Sequence, residues 1–91
     1  MPVLSPEEID RRLSSLPGWS RKADGITRQY TFAGFPEAVA FVSRLVPEAE
    51  AADHHPDITI KWNVVTLTQS THVAGGLTEH DFRLARRLNA L

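Results

Sequence analysis

Apolar positions change their spacing repeatedly along this chain, and each change predicts a new element. Ile9, Leu13 and Leu16 recur at i, i+4 and i+7, which is one face of a helix. Ser5-Pro6-Glu7-Glu8 supplies its start as a capping box, with Pro6 at the first helical position. Leu4 and Ile9 are spaced as a hydrophobic staple, and Pro17-Gly18 stops the helix. The period then drops to two. Trp19 to Lys22 reads as a short strand, Ala23-Asp24-Gly25 as a turn, and the return strand sets Ile26, Tyr30 and Phe32 against Thr27, Gln29 and Thr31. Arg28 interrupts that apolar face, which predicts a frayed or edge position. From Phe35-Pro36 the helical period returns through Ala38, Phe41, Val42, Leu45 and Ala49 toward Ala52. Pro47 lies inside this stripe, so a kink near Ser43 to Pro47 or two shorter helices are expected.

Pro56 closes that segment, and alternation resumes at Ile58, Ile60 and Trp62, then at Val65 and Leu67. A tight turn at Trp62-Asn63 makes this a second hairpin; one long bent strand is the alternative. Gly75-Gly76 forms a loop. Thr78 then caps a last helix, with Leu77 and Phe82 as staple, Asp81 at the third helical position, and Phe82, Ala85 and Leu88 inward. The order is helix-hairpin-helix-hairpin-helix. Strands arriving in adjacent pairs make an antiparallel sheet, and three amphipathic helices need one apolar sheet face. The expected fold is therefore α+β: a two-layer domain, a four-stranded antiparallel sheet with three helices on one face. The other face is left to solvent or to another subunit.

Ninety-one residues suffice for one domain. With no cysteine, disulfides, thiolate metal sites and cysteine nucleophiles are excluded. A core this small, without staples, makes self-association an expectation. Ten basic against eleven acidic residues give a net charge of −1, unlike a nucleic-acid binder or a polybasic membrane anchor. Arg83, Arg86 and Arg87 are read as a solvated face in the C-terminal half of the last helix, where the dipole favours cations. No apolar run approaches the roughly 20 residues that span a bilayer. Met1 to Glu8 carry no cationic leader, so the expected compartment is the cytoplasm.

The histidines carry the candidate chemistry. His54 and His55 lie between the second helix and Pro56, and His72 follows the last strand. Imidazole ordinarily titrates near pH 6.5, so near neutrality both proton donor and acceptor forms exist. That suits general acid–base work; a helix-capping role is the structural alternative. A zinc reading is disfavoured. Adjacent His54 and His55 tend to point apart, and no HExxH spacing occurs.

Glu50-Ala51-Ala52-Asp53-His54-His55-Pro56, five residues, Trp62, nine residues, His72, eight residues, Asp81 resembles the signature of the pterin-4a-carbinolamine dehydratase family. The run Tyr30, Phe32, Phe35, Ala38, Phe41 resembles that family's aromatic ladder. Ser70-Thr71-His72, Gly76-Leu77-Thr78 and Pro17-Gly18-Trp19 resemble further parts of it. The resemblance spans residues 1–91 as a single domain. It implies a hydro-lyase that converts 4a-hydroxy-tetrahydropterin to quinonoid dihydropterin plus water. Such an enzyme (4a-hydroxytetrahydrobiopterin dehydratase) recycles the cofactor of aromatic amino-acid hydroxylases and uses no metal or other cofactor. By position, His54, His55 and His72 would be catalytic. His54 and His72 would form the acid–base pair, with His55 toward the pterin. Glu50, Trp62 and Asp81 would be substrate-binding. Residue-level alternatives stand beside these: Trp62 shares parity with Ile58 and Ile60 and is expected in the core, Asp81 is equally a capping carboxylate, and Glu50 is equally solvent-facing. His80 matches no motif position and is read as solvated. Two features depart from the family pattern: Pro47, and Ile58-Thr59-Ile60 where many members carry an aromatic. The implied partners are a small-molecule pterin and further copies of the chain as a homodimer or homotetramer, with no nucleic acid and no membrane. The alternative function is a non-catalytic dimeric interaction module, resembling a transcriptional cofactor, on the same fold.

Overall fold

Ser5 opens the first helix by the reciprocal cap that its spacing predicts. Its hydroxyl accepts from Glu8 N–H at 3.2 Å, and the Glu8 carboxylate accepts from Ser5 N–H at 3.2 Å. In the computed structural model, which describes residues 2–71 and 74–91, the elements run in the predicted order. They are α1 (Pro6–Leu13), β1 (Ser20–Lys22), β2 (Gly25–Thr31), α2 (Phe35–Ala52), β3 (Asp57–Lys61), β4 (Val64–Gln69) and α3 (Glu79–Asn89). The strands pair antiparallel in the order β1-β2-β4-β3. Ile26, Val65 and Leu67 are fully buried against side chains from the three helices, while the alternate residues Thr27, Thr66 and Thr68 face outward. The chain is a two-layer α+β domain with one sheet face covered.

Helix α1 ends a turn before the predicted Leu16. The Ser14 and Ser15 hydroxyls bond back to the Arg11 and Arg12 carbonyls, a competition with helical bonding that serines favour at helix ends. Leu16 is buried all the same, at the end of that turn.

Arg28 sits where β2 becomes an edge: its pairing with β1 ends at Thr27, and Arg28 pairs with Leu67 of β4 alone. Strand β2 lies between β1 and β4, and the arginine guanidinium lies over the Tyr30 ring at 4.2 Å. It donates to the Pro17 carbonyl and to Asn89 Oδ1, which also accepts from Trp19 Nε1 at 2.9 Å. The charge reaches the rim while its stem covers apolar surface. Burial pushes the Tyr30 phenol up, and the nearby Arg28 charge opposes that shift. Gly18 is required by this arrangement. Its φ is +86°, and a Cβ there would meet Arg28 Nε at 2.5 Å.

Pro47 does not divide α2, which runs unbroken for 18 residues. The proline lacks the N–H that would reach the Ser43 carbonyl. Both residues are exposed, so water can take the freed carbonyl. Tyr30 and Phe32 pack on Phe41 at ring distances of 4.5 and 5.2 Å, which ties α2 to β2. The helix ends at Asp53, in the left-handed region at φ 49°, and this reversal sends the chain toward β3.

Trp62 is not in the core. The β3–β4 turn places it at φ 51° and 68% exposed, so it has left the strand whose parity pointed it inward. Ile60 keeps that parity and packs on the core, whereas Ile58 on the edge strand is exposed.

Gln69 is 1% exposed, and neither its carboxamide oxygen nor its nitrogen has a hydrogen-bond partner among the described residues. An unsatisfied buried polar group costs about 1–3 kcal/mol. Gln69→Leu is therefore expected to raise stability by about 1–3 kcal/mol in urea denaturation, read as a higher midpoint at unchanged slope. A lower midpoint would show that the amide is satisfied in solution.

Candidate active site

Thr78 ends the loop after β4 and caps α3. A directed chain of hydrogen bonds starts from it. His80 N–H donates to Thr78 Oγ1 at 3.3 Å, and the Thr78 and Thr71 hydroxyls lie 2.9 Å apart. Thr71 Oγ1 donates to Asp81 Oδ2 at 2.7 Å, and Thr78 N–H donates to the same oxygen at 2.9 Å. One carboxylate oxygen is thus occupied by the cap. The other, Oδ1, lies 2.6 Å from His54 Nε2. Asp81 is fully buried and the His54 side chain is 12% exposed. Asp81 therefore combines the two roles its position allowed: it caps α3 and orients an imidazole.

The polarity of this pair follows from the network. With Oδ2 accepting twice, Oδ1 is the acceptor left for His54, so Nε2 carries the proton. Nδ1 is then the nitrogen left for chemistry, as a lone pair in the neutral ring or a donor in the cation. His54 is held from behind as well, because its N–H reaches the Ala49 carbonyl at 3.1 Å across the end of α2.

His55 has a different environment. Its Nε2 lies 2.5 Å from Glu50 Oε2, and the two side chains are 59% and 68% exposed. The adjacent histidines separate into a buried couple, His54–Asp81, and an exposed couple, His55–Glu50. His72 lies outside the described residues. Trp62 is parted from His54 by the length of β3, five residues or about 17 Å of extended chain. Among the described residues no group of three potential ligands converges as a metal site.

Sequence reasoning missed one neighbour. His80 is half-buried rather than solvated, and its ring lies beside that of His54, with centroids 6.0 Å apart and planes 23° apart. The available signal was its place next to Asp81 in the first turn of α3.

That turn is braced from outside. Glu79 accepts from Arg12 of α1 at 2.9 Å and from Arg86 at 2.8 Å. Arg87 pairs with Glu48 of α2 at 2.9 Å, so of the arginines read as a solvated face one joins two helices and another, Arg86, pairs within α3. The bonds from Arg86 and Arg12 hold the Glu79 carboxyl below its usual range. A folded-state value below the unfolded one means stabilisation that is complete above the ordinary carboxylate range. It is lost as pH falls through the lowered folded value. Glu79→Gln should cost about 0.5–1 kcal/mol near pH 7 and flatten the acid limb of the stability–pH curve. An unaltered acid limb would show that this brace contributes nothing.

Fold and site together define a class: a small α+β domain with one covered sheet face, in which the end of α2 and the start of α3 hold a carboxylate-oriented imidazole. The family model for pterin 4 alpha carbinolamine dehydratase matches residues 2–91, and the chain belongs to that family. It is 50% identical over 91 residues to a relative from Thermomicrobium roseum named for the same family, covering 100% of this chain and 98% of the relative. A relative from Nocardia farcinica is 49% identical over 89 residues, covering 98% of this chain and 94% of that protein. Among solved structures, a transcriptional coactivator/pterin dehydratase from Brucella melitensis superposes with a TM-score of 0.91 at 36% identity, covering 97% and 96% of the two chains. A pterin dehydratase-like protein described as a RuBisCO assembly factor of the alpha-carboxysome shares the fold, with a TM-score of 0.63 at 22% identity over 79% and 83% of the chains.

Proposed function

We propose that this protein dehydrates 4a-hydroxy-tetrahydropterin to quinonoid dihydropterin and water, the recycling step for the cofactor of aromatic amino-acid hydroxylases. The observation that carries the reading is the His54–Asp81 couple, which leaves Nδ1 as the working nitrogen. The reaction breaks the C4a–O bond and forms the C4a=N5 bond. One group gives a proton to the departing hydroxyl, and another takes the proton from N5. Neutral His54 suits the second task, since Asp81 stabilises the imidazolium that results. His72 is assigned the first task by its position in the family signature. His55, with Glu50, is assigned to binding the pterin. Trp62, exposed at the β3–β4 turn, is assigned to the substrate by its position in the family signature alone. Each proton taken up is balanced by one released, so the residues assigned here complete the step by proton transfer alone. The test is stopped-flow dehydration of 4a-hydroxy-tetrahydropterin by purified protein. Acceleration over the spontaneous rate is expected, and its absence would overturn the reading.

A second reading is an interaction module, and the coactivator and assembly-factor descriptions of the two structural relatives favour keeping it. It predicts no dehydration. Self-association belongs to both readings. Phe35, Val39 and Val46 are exposed on α2 at i, i+4 and i+11, with half-buried Val42 between them at i+7. This 4-3-4 spacing is that of a helix–helix seam, and it supports a homodimer or homotetramer formed through α2. Sedimentation at micromolar concentration should give a multiple of the 10.1 kDa chain mass; a stable monomer would exclude it. The proposed setting is the cytoplasm, without membrane or nucleic-acid partners. Among the described residues no helix is long and apolar enough to cross a membrane.

A further inference from the structure

We infer that Thr71 is a positioning residue for the His54–Asp81 couple: its hydroxyl holds Asp81 Oδ2 from outside α3 and so sets where Oδ1 meets the His54 ring. The proton count along the hydroxyls gives this bond its direction. Each hydroxyl has one proton to give. That of Thr71 goes to Asp81 Oδ2 at 2.7 Å. The 2.9 Å contact between the two threonine hydroxyls is then Thr78 donating to Thr71. Thr78 Oγ1 in turn accepts from His80 N–H at 3.3 Å. Each hydroxyl in the run both accepts and donates, and the run ends on the carboxylate. Bonds in such a chain polarise one another, and a bond to a charged oxygen is the strong kind.

Asp81 Oδ2 has a second donor, Thr78 N–H at 2.9 Å, but that donor belongs to the cap of α3 and moves with it. It locates the carboxylate within its own helix. The torsion that turns a carboxylate about its Cβ–Cγ bond is broad, without sharp staggered wells, so the donors around it decide its setting. His54 stands on another element, past the end of α2, and its Nε2 meets Oδ1 at 2.6 Å. Thr71 is the donor that comes from the sheet: it lies two residues after β4 and is 8% exposed. Its backbone is tied independently of its side chain. The N–H donates to the Gly76 carbonyl at 3.2 Å, and the carbonyl accepts from Ala74 and Gly75 N–H at 3.0 and 3.1 Å. The hydroxyl therefore acts from a fixed point. Rate depends steeply on such alignment, because small displacements of a reacting group cost large factors. As a role in catalysis, this inference rests on the dehydratase reading; the hold on the carboxylate does not.

The experiment compares Thr71→Val, Thr71→Ser and the double variant Thr71→Val/Asp81→Asn. Valine keeps the branched shape and the backbone bonds and removes the hydroxyl; serine keeps the hydroxyl. Thr71→Val is expected to lower kcat by about tenfold with little change in KM, and Thr71→Ser to stay within about twofold of wild type. On top of Asp81→Asn the same valine should cost less than about twofold, because the couple it serves is already broken. A merely structural role would cost the same with and without Asp81→Asn, and that result would overturn the proposal. Proton–nitrogen spectra supply a readout independent of turnover. The His54 Nε2 proton signal should be shifted and broadened in Thr71→Val and native in Thr71→Ser; native His54 signals in Thr71→Val would also overturn the proposal. If Thr71→Val does not fold, Thr71→Cys, which keeps the bulk and only a weak donor, is read in its place. A several-fold loss of kcat with a shifted His54 signal is expected there, and wild-type behaviour sinks the idea. If the wild-type protein performs no dehydration, the dehydratase reading fails, and the His54 spectra alone decide the positioning role.

Discussion

Asp81→Asn should lower kcat by about 10²–10⁴ while leaving α3 capped. Asp81 Oδ2 accepts from Thr78 N–H and from the Thr71 hydroxyl, so asparagine must put its oxygen there. Its amide nitrogen then faces His54 Nε2, which in the native protein lies 2.6 Å from an acceptor. Two donors cannot share that bond, so Nε2 must give up its proton and become the acceptor. The neutral ring then carries its proton on Nδ1, and the lone pair leaves the working position. The opposite amide orientation sets its N–H groups against two donors and is worse. The substitution therefore reverses a tautomer without emptying the cap. Pre-steady-state dehydration measures the rate, and proton–nitrogen spectra of His54 read the tautomer directly. Wild-type kcat in Asp81→Asn would mean that His54 does not act through Nδ1.

Removing either member of the acid–base pair should cost about as much, 10²–10⁴ in kcat. The choice of substitution matters at His54. Alanine would leave Asp81 Oδ1 buried without a donor, at about 1–3 kcal/mol, and so mix stability with chemistry. His54→Gln keeps a donor for Asp81 and removes the base, so activity should fall with little change in melting temperature. His72→Ala should give a loss of similar size. His55 and Glu50 are both exposed, so His55→Ala should leave the melting temperature unchanged and raise KM several-fold, the signature of lost binding. Full activity in both His54→Gln and His72→Ala would remove the proposed mechanism even though the family assignment stands.

The exposed and buried histidine couples explain why these variants should differ. Chain adjacency gives His54 and His55 equal standing as motif members, but an extended segment sends successive side chains to opposite sides. One enters the gap between α2 and α3, and the other reaches back to Glu50 at the end of α2.

By itself the sequence determined every element whose signal is local. Capping at Ser5 and Thr78, alternation in β2 and β4, and the turn at Trp62-Asn63 depend on residues a few positions apart, and all appear where the spacing put them. It also determined the motif that marks the family, because that motif is a matter of residue types at fixed intervals. Four things waited for the tertiary structure. Arg28 reads as a break in an apolar strand until Tyr30, Pro17 and Asn89 surround it. Pro47 reads as a helix breaker until its face of α2 proves open to water. Trp62 reads as core until the turn rotates it out of the strand's parity. His80 reads as solvated until α2 ends against α3 and brings His54 beside it. For Trp62 the deciding feature is the backbone conformation of the turn itself; for Arg28, Pro47 and His80 the deciding contact joins segments far apart in the chain, or depends on which side of an element meets solvent. Local spacing carries no information about either. Packing decides both, because it selects among local conformations that differ by only about 1–3 kcal/mol.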